Sequence, residues 1–455
     1  MKNKITLIIL IVLSVFMLVA CQPDTLPPTG IYEREARQID GLLLEEQYRA
    51  FLFFWETSNS DPESSGFGMA RDRYPGASGV ASIASVGFAL AAIPIGIENG
   101  WITHDEGLER ALGTLDTLLG MTRHHGFYFH FISMHTTERV WNSEVSVIDT
   151  ALLVTGALFA GRYFGGEAYA KAIDIYDGID WNWYMHPVSH RYYMSYSPET
   201  QQHTGAWDGF AEQLMMYVLG AGSNTHPTGD ASYRVLKSDM SRRFAPYISQ
   251  NNPDLNVDPF YYTFGGELFT HQYSHAYLDF RQVLDRDGLD WHENARRATQ
   301  AAYNHAIDVS FRYRSLNANS WGVSASDGPN GYKAYGTPPK DRTDNMDGTV
   351  APYAALASVI HLEEEAIRAA YHFKSFPDLW GTYGFKAAYN LGLHEGHHDP
   401  LLVGKVPYYS PDVIGIDKGI TMLMIENYRS GFIWQVFMDI PEIQRGMELL
   451  GFQPR

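Results

Sequence analysis

Apolar positions recur along most of this chain with the period of a helix. Leu108, Ala111, Leu112, Leu115, Leu118 and Leu119 share one helical face, and Thr103-His104-Asp105-Glu106 supplies a capping box at its start. The same spacing predicts helices over residues 42–57, 80–99, 143–163, 208–222, 292–309, 349–373 and 418–436. Between them lie stretches of glycine mixed with aromatics, at 66–74, 126–131, 264–275, 321–335 and 380–389, rather than long alternating strands. Helices alternating with such loops predict an all-α fold, an (α/α)6 toroid of helical hairpins whose loops line a cleft at one mouth. No sequence repeat supports a solenoid.

The N-terminus has a different character. Lys2 and Lys4 precede an apolar run from Ile5 to Leu18, followed by Leu18-Val19-Ala20-Cys21. This reads as a lipoprotein signal peptide over 1–20, cleaved so that Cys21 becomes the lipidated first residue. A Pro- and Thr-rich segment follows, so 21–40 is expected to be a tether and 41–455 one catalytic domain. The best later membrane candidate, 80–98, is broken by Pro94, and no later segment reads as a span. The protein is therefore expected to be exported and held on the cell envelope through Cys21, with no protein partner indicated.

Charge and cysteine content narrow the chemistry. Cys21 is the only cysteine, which leaves no thiol for a disulfide, a thiolate metal site or a cysteine nucleophile. A formal charge of −18 repels nucleic acid and disfavours phosphate-rich ligands. Neutral glycans suit it better, because flat rings, 14% of the residues, stack on sugar C–H faces while carboxylates bond hydroxyls. There is no Gly-x-Ser-x-Gly elbow, P-loop or dinucleotide fingerprint. His271 and His275 have the spacing of a metal pair without a third ligand in register, and Asp341, Asp344 and Asp347 are wrongly spaced for an EF-hand. No metal and no cofactor is expected.

What remains is carboxylate chemistry. Trp207-Asp208-Gly209-Phe210-Ala211-Glu212 runs directly into an apolar segment, and on a continuous helix Glu212 would have Met215, Met216 and Leu219 as neighbours. Burial raises a carboxyl pKa, as a general acid requires; a structural Glu paired with a buried Arg is the alternative. Asp149 also falls on an apolar face, beside Val145, Leu152 and Leu153. Glu144 could act in the cleft or simply favour a helix start. Asp72, between Arg71 and Arg73, should be ionised and could orient a hydroxyl, activate water or brace a loop. Asp417 stands where a helix N-cap would.

Several motifs carry a resemblance. Ser82-Ile83-Ala84-Ser85-Val86-Gly87-Phe88, Val140-Trp141-Asn142-Ser143-Glu144, Thr270-His271-Gln272-Tyr273-Ser274-His275 and Trp321-Gly322-Val323-Ser324-Ala325-Ser326-Asp327-Gly328 are four of them. With Gly415-Ile416-Asp417-Lys418-Gly419 and Ile425-Glu426-Asn427-Tyr428-Arg429-Ser430-Gly431, the set resembles the glycoamylase-like domain of glycoside hydrolase family 144, from about Tyr48 to Phe452. The resemblance implies an (α/α)6 barrel that hydrolyses β-1,2-glucan with inversion to short sophoro-oligosaccharides, although related domains are transglycosylases. It implies Glu212 as general acid and Asp72, Glu144, Asp149 and Asp417 as cleft acids, one of which directs the water. Substrate-binding positions are expected at Arg71, Arg73, Trp141, Trp207, Asp208, His271, Tyr273, Trp321 and Asp327. A non-catalytic glycan-binding lipoprotein and a structural envelope protein are the alternatives.

Overall fold

A computed structural model describes residues 38–455; the leader, Cys21 and most of the tether lie outside the described residues. The chain alternates between outer and inner helices. It begins with α1 (Gly41–Thr57), α2 (Ile83–Glu98), α3 (His104–Gly120) and α4 (Val147–Phe164). Then come α5 (Gly166–Asp177), α6 (Leu214–Gly222), α7 (Ala231–Met240) and α8 (Tyr273–Tyr277). The sequence of hairpins ends with α9 (Trp291–Asp308), α10 (Pro352–Leu356), α11 (Glu363–Lys374) and α12 (Gly415–Ser430). Two further helices, α13 (Phe432–Phe437) and α14 (Pro441–Leu449), pack on α4 and α6.

The hydrophobic pattern sorts the two rings. Even-numbered α2 is buried at every position from Ile83 to Gly96, and α6, α8 and α10 are buried throughout. A helix that is apolar all round must be enclosed. Outer α3 buries only one face, Ala111, Thr114, Leu115 and Leu118 among it, and starts with the predicted capping box at Thr103 and Glu106. Such a cap contributes about 1 kcal/mol. The ring closes because α2 packs on both α4 and α12, α4 on α6, and α10 on α12. Where the inner helices are short, side chains bridge them: Ser274 Oγ accepts from Met215 N at 3.1 Å, and Gln272 Nε2 donates to Ala354 O at 2.8 Å. The fold is an all-α (α/α)6 toroid, as the periodicity predicts.

Glycines set the closest helix approach. A Cβ on Gly156 of α4 would stand 1.9 Å from Gly87 O of α2, and one on Gly87 would stand 2.4 Å from Leu152 O. Gly156→Ala is expected to cost about 1–3 kcal/mol by forcing these backbones apart. Urea unfolding checks this, and an unchanged midpoint would contradict the packing described.

Several boundaries differ from the sequence reading. The helix expected over 208–222 begins only at Leu214. The one expected over 349–373 splits into α10 and α11, and 418–436 breaks at Gly431, whose φ of 68° ends α12 in a left-handed cap. Segments 80–82 and 145–146 are short strands before their helices, and the hairpin Tyr193–Ser197 with Gln202–Ala206 was not anticipated. One later helix is in fact long and apolar enough to span a membrane: α4, with mean hydropathy 1.3. It is mostly buried inside the ring, and its apolar character is that of a core helix.

Candidate active site

The loops before the inner helices are stapled together by short ladders. Arg73 and Tyr74 pair with Ile414 and Val413, and Gly415 N donates to Asp72 O at 2.7 Å, joining the entries of α2 and α12. Val80–Ser82 pairs with Phe131–Ser133, and Ile83 N donates to His130 O at 3.0 Å. As a result one cavity of about 430 Å³ is lined from all six inner-helix entries. Its polar wall is Asp72, Arg73, His130, Asp149 and Glu212; Phe269, Tyr273, Tyr332 and Tyr353 supply rings. Carboxylates and aromatic faces in one concave site suit a sugar.

Glu212 sits two residues before α6, in a turn rather than on the helix. The turn is fixed by Gln213, whose Nε2 donates to Gly209 O while its Oε1 accepts from Ala211 N, and by Ser274 Oγ, which donates to Glu212 O at 2.6 Å. The side chain therefore enters the cavity instead of lying on Met215, Met216 and Leu219. Burial, with Glu267 and Asp149 as negative neighbours, pushes its pKa up to about 7. No Arg or Lys partners the carboxyl in any ion pair among the described residues, so the structural alternative lacks its cation.

Across the cavity the acids have partners. Ser146 Oγ donates to Asp149 Oδ2, and His130 Nε2 lies 3.6 Å from the same oxygen. His130 Nδ1 is 2.9 Å from Glu144 Oε1, which holds Glu144 below its usual range. Glu144 is thus at the rim and engaged. Arg73 spans Asp72 (3.2 Å), Asp327 (3.2 Å) and Asp412 (3.4 Å). Asp72 was expected to be fully ionised between two arginines. Only Arg73 reaches it, and burial outweighs that charge to raise its pKa. Arg71 instead donates to Pro75 O and Gly76 O and covers the Tyr74 ring.

Asp417 is not an N-cap. Ile414 occupies that position, and Asp417 lies in the first turn of α12, 3% exposed, behind the cavity wall. Neither of its carboxyl oxygens has a hydrogen-bond partner, and burial raises its pKa well above the usual range, with Asp327 and Asp72 adding to the shift. A buried carboxyl with no donor is costly unless something else supplies one.

Not every expected binding residue reaches the cavity. Trp321 is fully buried and donates to Glu365 O beneath Tyr303; Trp207 is buried in the core. His271 is buried edge-on to Phe210, with burial depressing its pKa to about 3, so it is a neutral core residue. Asp208 is exposed and pairs with Arg242 at 3.3 Å. Residue type alone does not say which side of a loop faces the cleft. Tyr273 and Arg73 do line it, Asp327 braces Arg73, and Trp141, 63% exposed, packs on the cavity residue Phe131 with centroids 5.2 Å apart. Missed were His130, Tyr332, Tyr353 and Glu267. His130 alone had a signal, as the one imidazole in the aromatic stretch 126–131. Among the described residues no three His, Asp or Glu side chains converge as a metal site.

This chain is similar to several known proteins. An exo β-1,2-glucooligosaccharide sophorohydrolase (non-reducing end) of Parabacteroides distasonis is 28% identical over 88% of this chain. The chain spans 56% of that relative's length. The endo-β-1,2-glucanase of Chitinophaga pinensis, solved with sophorotriose and glucose, is 26% identical with a TM-score of 0.79, covering 92% of this chain and 99% of the other. A β-1,2-glucanase structure from Parabacteroides distasonis is 25% identical with a TM-score of 0.76, covering 90% and 60%. Residues 204–441, just over half of the chain and including Glu212 and Asp417, match the model of the Glycoamylase family. The chain belongs to the Glycoamylase family, as its motifs anticipate.

Proposed function

We propose that this protein is an inverting glycoside hydrolase that cleaves β-1,2-glucan to short sophoro-oligosaccharides, with Glu212 as general acid. The observation that carries this is Glu212 itself: a carboxyl in a sugar-sized cavity, with no cation to ionise it and a pKa of about 7. The linkage rests on the named activities of relatives that align over most of this chain. Glu212 gives its proton to the glycosidic oxygen as that bond breaks. Water attacks the anomeric carbon from the opposite face and loses its proton to a second carboxylate.

We assign that second role to Asp417. Its two buried oxygens have no hydrogen-bond donor of their own, and a donor that reached them would favour its ionisation. Glu144, another of the four cleft acids, is occupied by His130 at the rim. Asp72 and Asp149 line the wall and orient hydroxyls, while Tyr273, Tyr332 and Trp141 contact sugar rings.

Digestion of linear β-1,2-glucan, β-1,3-glucan and starch tests the reading. Short products from β-1,2-glucan alone are expected; binding without cleavage would favour the glycan-binding alternative, and larger or cyclic products would favour transglycosylation. The leader supports export and lipid attachment at Cys21, so a fatty-acid label that Cys21→Ala does not remove would contradict anchoring.

A further inference from the structure

We propose that His130 is the positioning residue of the cleft, an imidazolium clamped between Glu144 and Asp149 that fixes the Asp149 carboxylate in the cavity wall and balances the negative charge facing Glu212. The proposal rests on the assignment of Glu212 as general acid.

The clamp has defined geometry. Nδ1 of the ring lies 2.9 Å from Glu144 Oε1, and Nε2 lies 3.6 Å from Asp149 Oδ2. Because a doubly protonated imidazole donates at both nitrogens, each carboxylate meets an N–H only when the ring is charged. The ring plane is set by Phe131, stacked 3.8 Å away at 18°. The backbone is held too: His130 N donates to Glu144 O at 2.9 Å while its carbonyl accepts from Ile83 N at the start of α2. The ring is thus fixed between the entries of α2 and α4 and lines the cavity.

The surrounding charges define its task. Facing this corner are Asp72 and Arg73 from the entry of α2, Glu144 and Arg139 from the loop before α4, and Asp149 from α4 itself. Beyond Asp149 stand Glu212 and Glu267. Arg73 is shared among Asp72, Asp327 and Asp412, and Arg139 is paired with Glu199, so His130 is the cation that Asp149 has within ion-pair distance among the described residues. Despite burial, Asp149 and then Glu144 and Asp72 raise the His130 pKa to about 9, and the ring is charged throughout the range in which Glu212 titrates. The charge on Asp149 already pushes Glu212 upward. Without the imidazolium, Asp149 would act on Glu212 unopposed, and the carboxyl would become a weaker acid.

The test compares His130→Gln, which keeps a hydrogen-bonding side chain without charge, with His130→Lys, which keeps the charge, using β-1,2-gluco-oligosaccharides. For His130→Gln kcat should fall about tenfold or more with KM changed by less than about threefold. The alkaline limb of kcat/KM should also move up by about half a pH unit. His130→Lys should return the limb toward its wild-type position. If His130→Gln unfolds, Glu144→Gln, which removes one arm of the clamp at the rim, should lower kcat with a smaller loss. Wild-type kcat in His130→Gln, or a loss of activity with the limb unmoved in both variants, overturns the proposal. Turnover by Glu212→Gln would instead overturn the reading of the general acid, whatever His130 does.

Discussion

Glu212→Gln should lower kcat on β-1,2-glucan by about 10³-fold, the scale of a general acid's contribution, while leaving oligosaccharide binding nearly intact. The amide keeps the size of the carboxyl but cannot protonate a leaving oxygen. The wild-type pH profile carries the same assignment. An acid must hold its proton to act, and burial has raised this carboxyl to about 7, so kcat/KM should fall as pH rises through about 7. The sign follows from the direction of the shift: a carboxyl at its ordinary value would already be ionised below pH 5. Steady-state kinetics of both proteins against pH check this. Retained turnover in the variant would remove Glu212 from the mechanism.

How much of this site was legible in the sequence depended on distance along the chain. A carboxylate next to an apolar helix is a local feature, so Glu212 stood out. Its exact setting was not local: the turn that points it into the cavity depends on Ser274, 62 residues away, and on the side chain of Gln213. Periodicity identified the toroid because inner helices such as α2 and α6 are buried on every side while long outer helices such as α3 bury one face. It missed α5, α7, α8 and α14, of which α8, at five residues, has too few turns to show a period. His130, Tyr332 and Tyr353 escaped notice because they matter through partners reached only by closing the ring. Trp207, Trp321 and His271 misled for the converse reason. An aromatic-rich loop has an inner and an outer side, and their rings fill the core.

Lys418→Met should destabilise the fold by about 3–5 kcal/mol, although Lys418 touches no substrate in this account. Lys418 Nζ lies 2.6 Å from Glu46 Oε1, with the two side chains 3% and 2% exposed. Glu46 also accepts from Phe385 N at 3.0 Å, so the pair ties α1 and α12 to the hairpin near residue 385. Burial already raises the Glu46 pKa against the pull of Lys418; removing the ammonium leaves a buried carboxyl that must take up a proton or draw in water. There is a second consequence. Lys418 is one of the two cations that lower the pKa of its neighbour Asp417, so its loss should also reduce kcat by making that carboxyl harder to ionise. Urea unfolding and kinetics on one preparation check both effects, and Glu46→Gln in the same chain should recover part of the stability. A loss below about 1 kcal/mol would mean that the pair is solvated and that α12 is anchored otherwise.

In the proposed reaction two carboxyl groups, Glu212 in the cavity and Asp417 behind its wall, act in a single displacement by water. An NMR time course of β-1,2-glucan hydrolysis by the protein lacking residues 1–21, reading the anomer first released before mutarotation, decides this. α-Configured reducing ends are expected at the earliest times. β-Configured ends would require a covalent intermediate or a transfer step, and would contradict it.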